Sequence, residues 1–176
     1  MNIVVYCGSR SGNDPIYLET AKKLGELIAL NNHTLVYGGS NVGIMGEIAN
    51  SVRKNGGKVI GVRPEGFKEG DANSFCDEMH ITKDMASRKT KMIELGDVFL
   101  AYPGGTGTLD EISEVIVLNS CELINKKYAL LNLNGFYDTL LKFFNEVKEK
   151  DFMTSRQLNE IKSFDTLEDF FDYIND

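Results

Sequence analysis

Pro103 to Glu111 reads Pro-Gly-Gly-Thr-Gly-Thr-Leu-Asp-Glu, between an apolar run, Val98 to Tyr102, and a helical pattern, Leu109 to Leu123. A buried strand, a tight glycine turn and a helix N-terminus make an anion site. The first backbone N–H groups of a helix have no partners of their own, and the helix dipole favours negative charge there. Gly104, Gly105 and Gly107 let that backbone approach a phosphate without a Cβ in the way. Glu111 follows one turn into the helix, with Asp110 and Glu114 beside it. Three acids next to an anion site are unfavourable unless the same site also stabilises positive charge. A plainer reading exists for two of these residues. Thr108 and Glu111 have the spacing of a capping box, with threonine at the N-cap and glutamate three residues on, which needs no chemistry.

A second pair of interest is Arg88-Lys89, in the helical pattern Lys83 to Leu95. Lysine and arginine are mostly solvated, which is the default for such a pair. Met85, Met92 and Ile93 put apolar residues on neighbouring turns, so Arg88 is expected near the buried edge, where its guanidinium can fork onto a phosphate or carboxylate. Met92 and Met85 read first as core filler.

Other chemistries find no support. Gly105-Thr106-Gly107 fails as a dinucleotide fingerprint because Asp110 stands where the last glycine belongs, and no acid follows the second strand at Tyr37-Gly38. The glycines between Gly38 and Gly46 lack the Gly-Lys-Ser/Thr of a P-loop, and no Gly-x-Ser-x-Gly elbow occurs. His33 and His80 sit in neither a nucleophile nor a ligand pattern and read as surface residues.

The elements that must position these residues alternate. Strands read at Ile3–Cys7, Thr34–Tyr37, Lys58–Val62, Val98–Tyr102 and Tyr128–Leu133, each rich in Val, Ile and Leu with little alternation, as in strands buried on both faces. Helices read at Pro15–Leu30, Gly43–Asn55, Lys83–Leu95, Leu109–Leu123 and Tyr137–Lys150. Asp14 and Pro15 open the first, and Gly56-Gly57 ends the second. Ser155 to Asp176 reads as two short helices, the last docked by Phe170, Phe171 and Ile174. This order predicts a Rossmann-like, doubly wound parallel sheet with three α/β/α layers, in one nucleotide-binding domain over residues 1–176. Gly61 to Ile81 is the one long irregular stretch and reads as a flap over a site. Ligands of such sheets bind beyond the strands' carboxyl ends. Here those ends are Gly8-Ser9-Arg10, Gly38-Gly39-Ser40, Arg63-Pro64 and Pro103-Gly104-Gly105.

The chain has 176 residues, enough for a real core, and a net charge of −7. That charge argues against nucleic acid or an anionic membrane as the main partner. Cys7, Cys76 and Cys121 show no metal-type or disulfide pattern, which fits a reducing cytoplasm. Met1 to Tyr6 reads as a first strand rather than a signal segment, and no apolar run reaches the length of a membrane span.

Taken together, these features resemble the Lonely Guy (LOG) family of cytokinin-activating nucleotide phosphoribohydrolases. The matching pieces are Cys7-Gly8-Ser9, Tyr37-Gly38-Gly39 with Gly43-Ile44-Met45-Gly46, Met85 to Met92 with its Arg88-Lys89 pair, and Pro103 to Glu111. Members have been labelled lysine decarboxylases, but no lysine here has a recognisable Schiff-base context. The resemblance implies hydrolysis of the N-glycosidic bond of a purine riboside 5′-monophosphate, an N6-prenylated AMP or AMP itself, to free base and ribose 5-phosphate. It places Arg88 and Glu111 at the catalytic centre. It makes Gly8, Ser9, Gly39, Ser40, Met85, Lys89 and the Gly104-Gly105-Thr106-Gly107-Thr108 loop substrate contacts. Neither metal nor cofactor is required, and a homodimer is implied. Glu111 would stabilise oxocarbenium charge at C1′ and orient or deprotonate water. Arg88 either holds Glu111 or assists the leaving base. Ala86-Ser87 stands where plant members usually carry His-Gln, and Val117 lies near a position where they often carry threonine, so the base-side preference is expected to differ. Acidic contacts from the flap fall to Glu69 or Asp71, or to neither. A competing reading is a non-catalytic carrier of a phosphorylated ligand, such as the molybdenum-cofactor carriers of the same fold group, which tend to lack the Arg/Glu pair.

Overall fold

The computed structural model describes residues 1–66 and 76–176. In chain order the elements are β1 (Asn2–Tyr6), α1 (Pro15–Leu30), β2 (Thr34–Tyr37), α2 (Gly43–Lys54), β3 (Lys58–Pro64), β4 (Glu78–Thr82), α3 (Met85–Leu95) and β5 (Val98–Ala101). They continue with α4 (Thr106–Ser120), β6 (Lys127–Leu131), a 3-10 turn (Leu133–Gly135), α5 (Asp138–Glu149), α6 (Ser155–Glu160), β7 (Lys162–Phe164) and α7 (Leu167–Asn175). The strands form one sheet in the order β4-β3-β2-β1-β5-β6-β7. Every pairing is parallel, with Ile3 opposite both Leu35 and Val98.

Alternation along β1 and into Cys7, the residue that follows it, divides the interior into two cores. Ile3, Val5 and Cys7 join Leu24, Ile28, Ile44, Ile48 and Phe170 on the face covered by α1, α2 and α7. Val4 and Tyr6 join Met92, Ile112, Val115 and Tyr128 on the face covered by α3 and α4, with Leu140, Leu141 and Phe144 of α5 packed against them. The expected three-layer, doubly wound α/β fold is therefore the observed one. Strands with apolar residues on both faces have nowhere to lie except between two helical layers.

Local signals hold where the chain has one strong option. Asp14 caps α1 by accepting from the Ile16 N–H at 3.0 Å, with Pro15 in the first turn. Phe170, Phe171 and Ile174 dock α7 in the core. Two strands are additions to the five read from sequence. β4 and β7 are the two edges of the sheet, short and without an apolar run. β4 changes the reading of the irregular stretch. Arg63 and Pro64 extend β3 beyond the strand read at Lys58–Val62, and Glu78 to Ile81 belong to the neighbouring strand. Residues 67–75 of that flap, with Glu69 and Asp71, lie outside the described residues. No helix among the described residues is long and apolar enough to cross a membrane.

Candidate active site

The strand order reverses between β1, which continues to β2 and β3, and β5, which continues to β6 and β7. This is the topological switch point at which open α/β sheets bind ligands. The loops that leave the two strands, Cys7-Gly8-Ser9 and Pro103-Gly104-Gly105, line a cavity of about 610 Å³. Their backbones nearly touch. A Cβ on Gly104 would lie 2.8 Å from the Gly8 nitrogen and 2.1 Å from Thr108 Oγ1, so only glycine fits.

α4 begins beside this contact. Its N-cap is Gly105, and among the described residues no side chain caps it. The first intrahelical bond there is Leu109 N–H to Gly105 C=O at 3.2 Å. The N–H groups of Thr106, Gly107 and Thr108 therefore have no partner within the helix, and all three residues line the cavity. The buried Thr108 hydroxyl also has no hydrogen-bond partner among the described residues. These groups make a donor-rich, dipole-favoured cradle for an anion. The capping-box reading of Thr108 and Glu111 is overturned. The helix starts at Thr106, so Thr108 is already inside the first turn and Glu111 lies beyond the reach of an N-terminal cap. The glycines release the chain into helix earlier than the Thr-x-x-Glu pattern suggests.

α3 supplies the cation. Asp84 caps it, accepting from the Ser87 N–H at 2.8 Å and the Ser87 hydroxyl at 2.6 Å. Arg88 follows in the second turn, only 7% exposed. Its Nε donates to Val62 C=O at 3.1 Å and its Nη1 to Glu111 Oε1 at 2.5 Å. Glu111 is 6% exposed. The expectation that Arg88 lies at the buried edge holds, and it goes further than expected. The guanidinium is fixed at one end to β3 and at the other to α4. Gly38, at the end of β2, makes room for it, because a Cβ there would stand 2.5 Å from Arg88 Nη2 and 2.9 Å from Met45 Sδ.

Burial pushes the Glu111 carboxyl above the ordinary carboxylate range, while Arg88 pulls the other way. Burial likewise raises the Cys7 thiol, which lines the cavity as an inert neutral group. The crowding of acids that the sequence presented is resolved by cations from the facing helix. Lys89 Nζ bonds Asp110 Oδ1 and Glu114 Oε2, each at 2.9 Å, and these carboxylates raise its affinity for its proton. Each acid thus has a partner on α3.

The sequence-derived residues separate into two groups. Gly8, Ser9, Met85, Arg88, the Gly104–Thr108 loop and Glu111 come together on the cavity wall. Gly39, Ser40 and Lys89 do not line it. Gly39 turns toward Met79 and Arg63, and Ser40 is buried with its Oγ accepting from the Val42 N–H at 3.4 Å. Lys89 is spent on Asp110 and Glu114. Of the two methionines, Met92 is core and Met85 is 46% exposed beside the cavity. Sequence reasoning missed Tyr17 and Phe136, which line the cavity with their rings edge to face at 6.0 Å. Tyr17 in the first turn of α1 and Phe136 just ahead of α5 both read as core aromatics, so no local signal marked them. His33 stacks on Phe171, and His80 pairs with Glu78 on an edge strand; neither enters the site. No group of three or more potential metal ligands occurs among the described residues.

Comparison with known proteins agrees with this geometry. A family model described as "Possible lysine decarboxylase" matches residues 45–174. The chain is 40% identical over 155 residues to a cytokinin riboside 5′-monophosphate phosphoribohydrolase of Rhodococcoides fascians, covering 87% of this chain and 78% of that protein. It is 37% identical over 154 residues to the LOG4 phosphoribohydrolase of Arabidopsis thaliana, covering 87% and 72%. Among solved structures, a molybdenum cofactor binding protein of Rippkaea orientalis superimposes with a TM-score of 0.74 at 24% identity, over 99% of this chain and 94% of that one. The molybdenum cofactor carrier protein of Chlamydomonas reinhardtii does so with 0.75 at 22%, over 99% and 95%. These two likenesses establish the fold alone. With the matches over most of its length, this chain belongs to the LOG family, that of the cytokinin riboside 5′-monophosphate phosphoribohydrolases.

Proposed function

We propose that this protein hydrolyses the N-glycosidic bond of adenosine 5′-monophosphate or its N6-prenylated derivatives, releasing free base and ribose 5-phosphate. The observation that carries this reading is the buried Arg88–Glu111 pair on the wall of a cavity that is also lined by the uncapped N-terminus of α4. An anion cradle alone suits any phosphorylated ligand. A carboxylate held next to it suits a ligand that is anionic at one end and becomes cationic in the middle.

Cleavage of the C1′–N bond develops oxocarbenium charge on the ribose. The phosphate takes the N–H groups of Gly105 to Thr108 and the Thr108 hydroxyl, which turns C1′ toward Glu111. The Glu111 carboxylate stabilises the developing cation and takes a proton from the attacking water, whose oxygen becomes the new hydroxyl at C1′. The base departs with the electron pair of the broken bond and gains a proton. Burial raises the basicity of Glu111, which suits a group that takes a proton from water. Arg88 keeps the carboxylate in one orientation. Neither metal nor cofactor enters this scheme. Light scattering tests the homodimer that belongs to the same proposal. The three free cysteines suit a reducing cytoplasm.

Incubation with AMP and with N6-isopentenyladenosine monophosphate, followed by reverse-phase chromatography, tests the reaction. Free base is expected from the wild type. Glu111→Gln is expected to lose about 10²- to 10⁴-fold in kcat while still binding nucleotide. Tight nucleotide binding without turnover by the wild type would replace this proposal with a carrier. The carrier reading leaves a buried ion pair beside the ligand without a task, and is the weaker for it.

A further inference from the structure

The cradle at the start of α4 collects neutral donors. The N–H groups of Thr106, Gly107 and Thr108 and the Thr108 hydroxyl carry no formal charge, and the helix end adds roughly +0.5. A 5′-phosphate brings about −1.5 to −2 near pH 7. Lys89 is taken by Asp110 and Glu114 and does not line the cavity. Arg88 is taken by Glu111, so that pair is neutral as a whole. With these groups alone, a bound phosphate keeps about one negative charge uncompensated. The lining residues contain one more cation, Arg10.

Backbone contacts fix where the Arg10 side chain starts. Arg10 lies two residues after Gly8, on the turn that leaves β1. A Cβ on Gly8 would lie 3.5 Å from Gly104 Cα and 3.4 Å from the Arg10 carbonyl oxygen, so this turn rests on the glycine loop ahead of α4. Gly43, the first residue of α2, packs against the same turn with a φ of 59°. A Cβ there would strike the Ser9 carbonyl and stand 2.9 Å from the Arg10 nitrogen. The Arg10 backbone is thus held beside the cradle. The residue is exposed, and among the described residues no hydrogen bond or ion pair engages its guanidinium. In a chain of net charge −7 an arginine has many acids to choose from, and Arg156, outside the cavity, bonds both Glu122 and Glu160. Arg10 has a fixed root on the cavity wall and an uncommitted charge.

We propose that Arg10 is a substrate-binding residue that selects ligands carrying a 5′-phosphate, its guanidinium forking onto phosphate oxygens that the N–H groups of α4 leave free. This deepens the proposed reaction and rests on it for the seating of the phosphate on the cradle. The phosphate does not change during cleavage of the C1′–N bond, so the contact holds ground state and transition state alike. Its loss is expected to raise KM and leave kcat nearly unchanged, the opposite signature to the loss of Glu111.

The test uses ribose 5-phosphate, which carries the phosphate without the base, in calorimetry that needs no turnover. Arg10→Ala is expected to weaken its binding about 10- to 100-fold, the worth of hydrogen bonds between charged groups. KM for AMP is expected to rise by a similar factor, with kcat within about twofold of the wild type. Arg10→Lys keeps the charge but loses the fork, and is expected to recover part of the affinity. Arg156→Ala removes one positive charge outside the cavity and is expected to leave ribose 5-phosphate binding unchanged. A fall of equal size in Arg156→Ala would assign the effect to net charge and overturn the inference. Equal affinity in the wild type and Arg10→Ala would overturn it as well. Absence of base release by the wild type, with ribose 5-phosphate binding weakened as expected in Arg10→Ala, would instead remove the proposed reaction and leave Arg10 standing as a phosphate contact.

Discussion

Two helix N-termini meet at the cavity, and they are finished in opposite ways. α3 is closed by Asp84, which satisfies the Ser87 N–H and carries negative charge at the positive end of the dipole. α4 opens on Gly105 and is left without a side-chain cap among the described residues. The difference follows from what each helix presents. α3 presents a side chain, Arg88, from its second turn, and its own end must be held still and electrically quiet. α4 presents its end itself, so a capping carboxylate there would occupy the place of the ligand. The acid of α4 is instead displaced to Glu111, where Arg88 neutralises it. A structural helix end and a binding helix end are thus told apart by who satisfies the first-turn N–H groups.

Substitution in the glycine loop breaks this distinction most severely. Gly104→Ala forces a Cβ into Thr108 Oγ1 and the Gly8 backbone, which pushes the two loops apart. A displacement of about 1 Å at such a site costs roughly 10²-fold or more, so base release is expected to fall at least that far, with a lower melting temperature. Gly107→Ala sharpens the comparison, because an added Cβ there has nothing within 4 Å. Alanine favours helix over glycine by about 1 kcal/mol. The melting temperature is expected to rise while nucleotide affinity falls, because the new methyl stands at the open end of α4. Equal affinity in calorimetry would show that the N–H groups of this turn do not meet the phosphate.

Gly38→Ala reaches the same pair from β2. The added methyl strikes Arg88 Nη2, and Arg88 has little freedom to yield because Val62 and Glu111 hold it at both ends. A loss of about 10²-fold in kcat is expected. The substitution needs no unusual backbone, since Gly38 is not among the glycines with positive φ, so the fold is expected to persist by circular dichroism.

A smaller effect comes from protons. The folded-state affinity of Glu111 for its proton is raised. A base with a raised pKa loses activity as pH falls through that raised value, so the acid limb of kcat/KM is expected above the ordinary glutamate value of about 4.3. Arg88→Ala removes the cation that opposes burial. Its residual activity is expected to show an acid limb at still higher pH. A limb that stays in place would mean that Glu111 is not the titrating base.

Much of this arrangement was legible in the sequence, and the illegible parts share a cause. β1, β2, β3, β5 and β6 are apolar on both faces, so their composition announced them. β4 and β7 lie at the sheet edges, and β4 has no fully buried residue. Nothing in such a segment distinguishes it from a loop until a neighbouring strand supplies the hydrogen bonds. The glycine loop, Arg88 and Glu111 were readable because their chemistry conflicts with their surroundings: glycines at a helix start, an acid beside an anion cradle. The surroundings of Lys89 were illegible for the converse reason. Its partners, Asp110 and Glu114, lie on another helix, and only their convergence shows that its charge is already taken. Tyr17 and Phe136 come from distant elements and look like ordinary core aromatics until the two loops close beside them.

The gentlest test of the comparison is at the closed end. Asp84→Ala opens α3 as α4 is opened, but at an end that presents a side chain to the cavity rather than its own N–H groups. The melting temperature is expected to drop slightly, and nucleotide affinity is expected to change far less than in Gly104→Ala. The sign of the pH dependence is fixed by the bonds that Asp84 accepts from Ser87, which hold its carboxyl below the ordinary aspartate range in the folded state. Such a group stabilises the fold above its unfolded pKa of about 3.9, and the contribution is lost as pH falls through the lower folded value. The gap in melting temperature between wild type and Asp84→Ala is therefore expected to be constant near neutrality and to close below about pH 3.9. A gap that persists in acid would assign the stabilisation to the Asp84 backbone turn rather than to its charge, and the contrast between the two helix ends would then be one of shape and not of electrostatics.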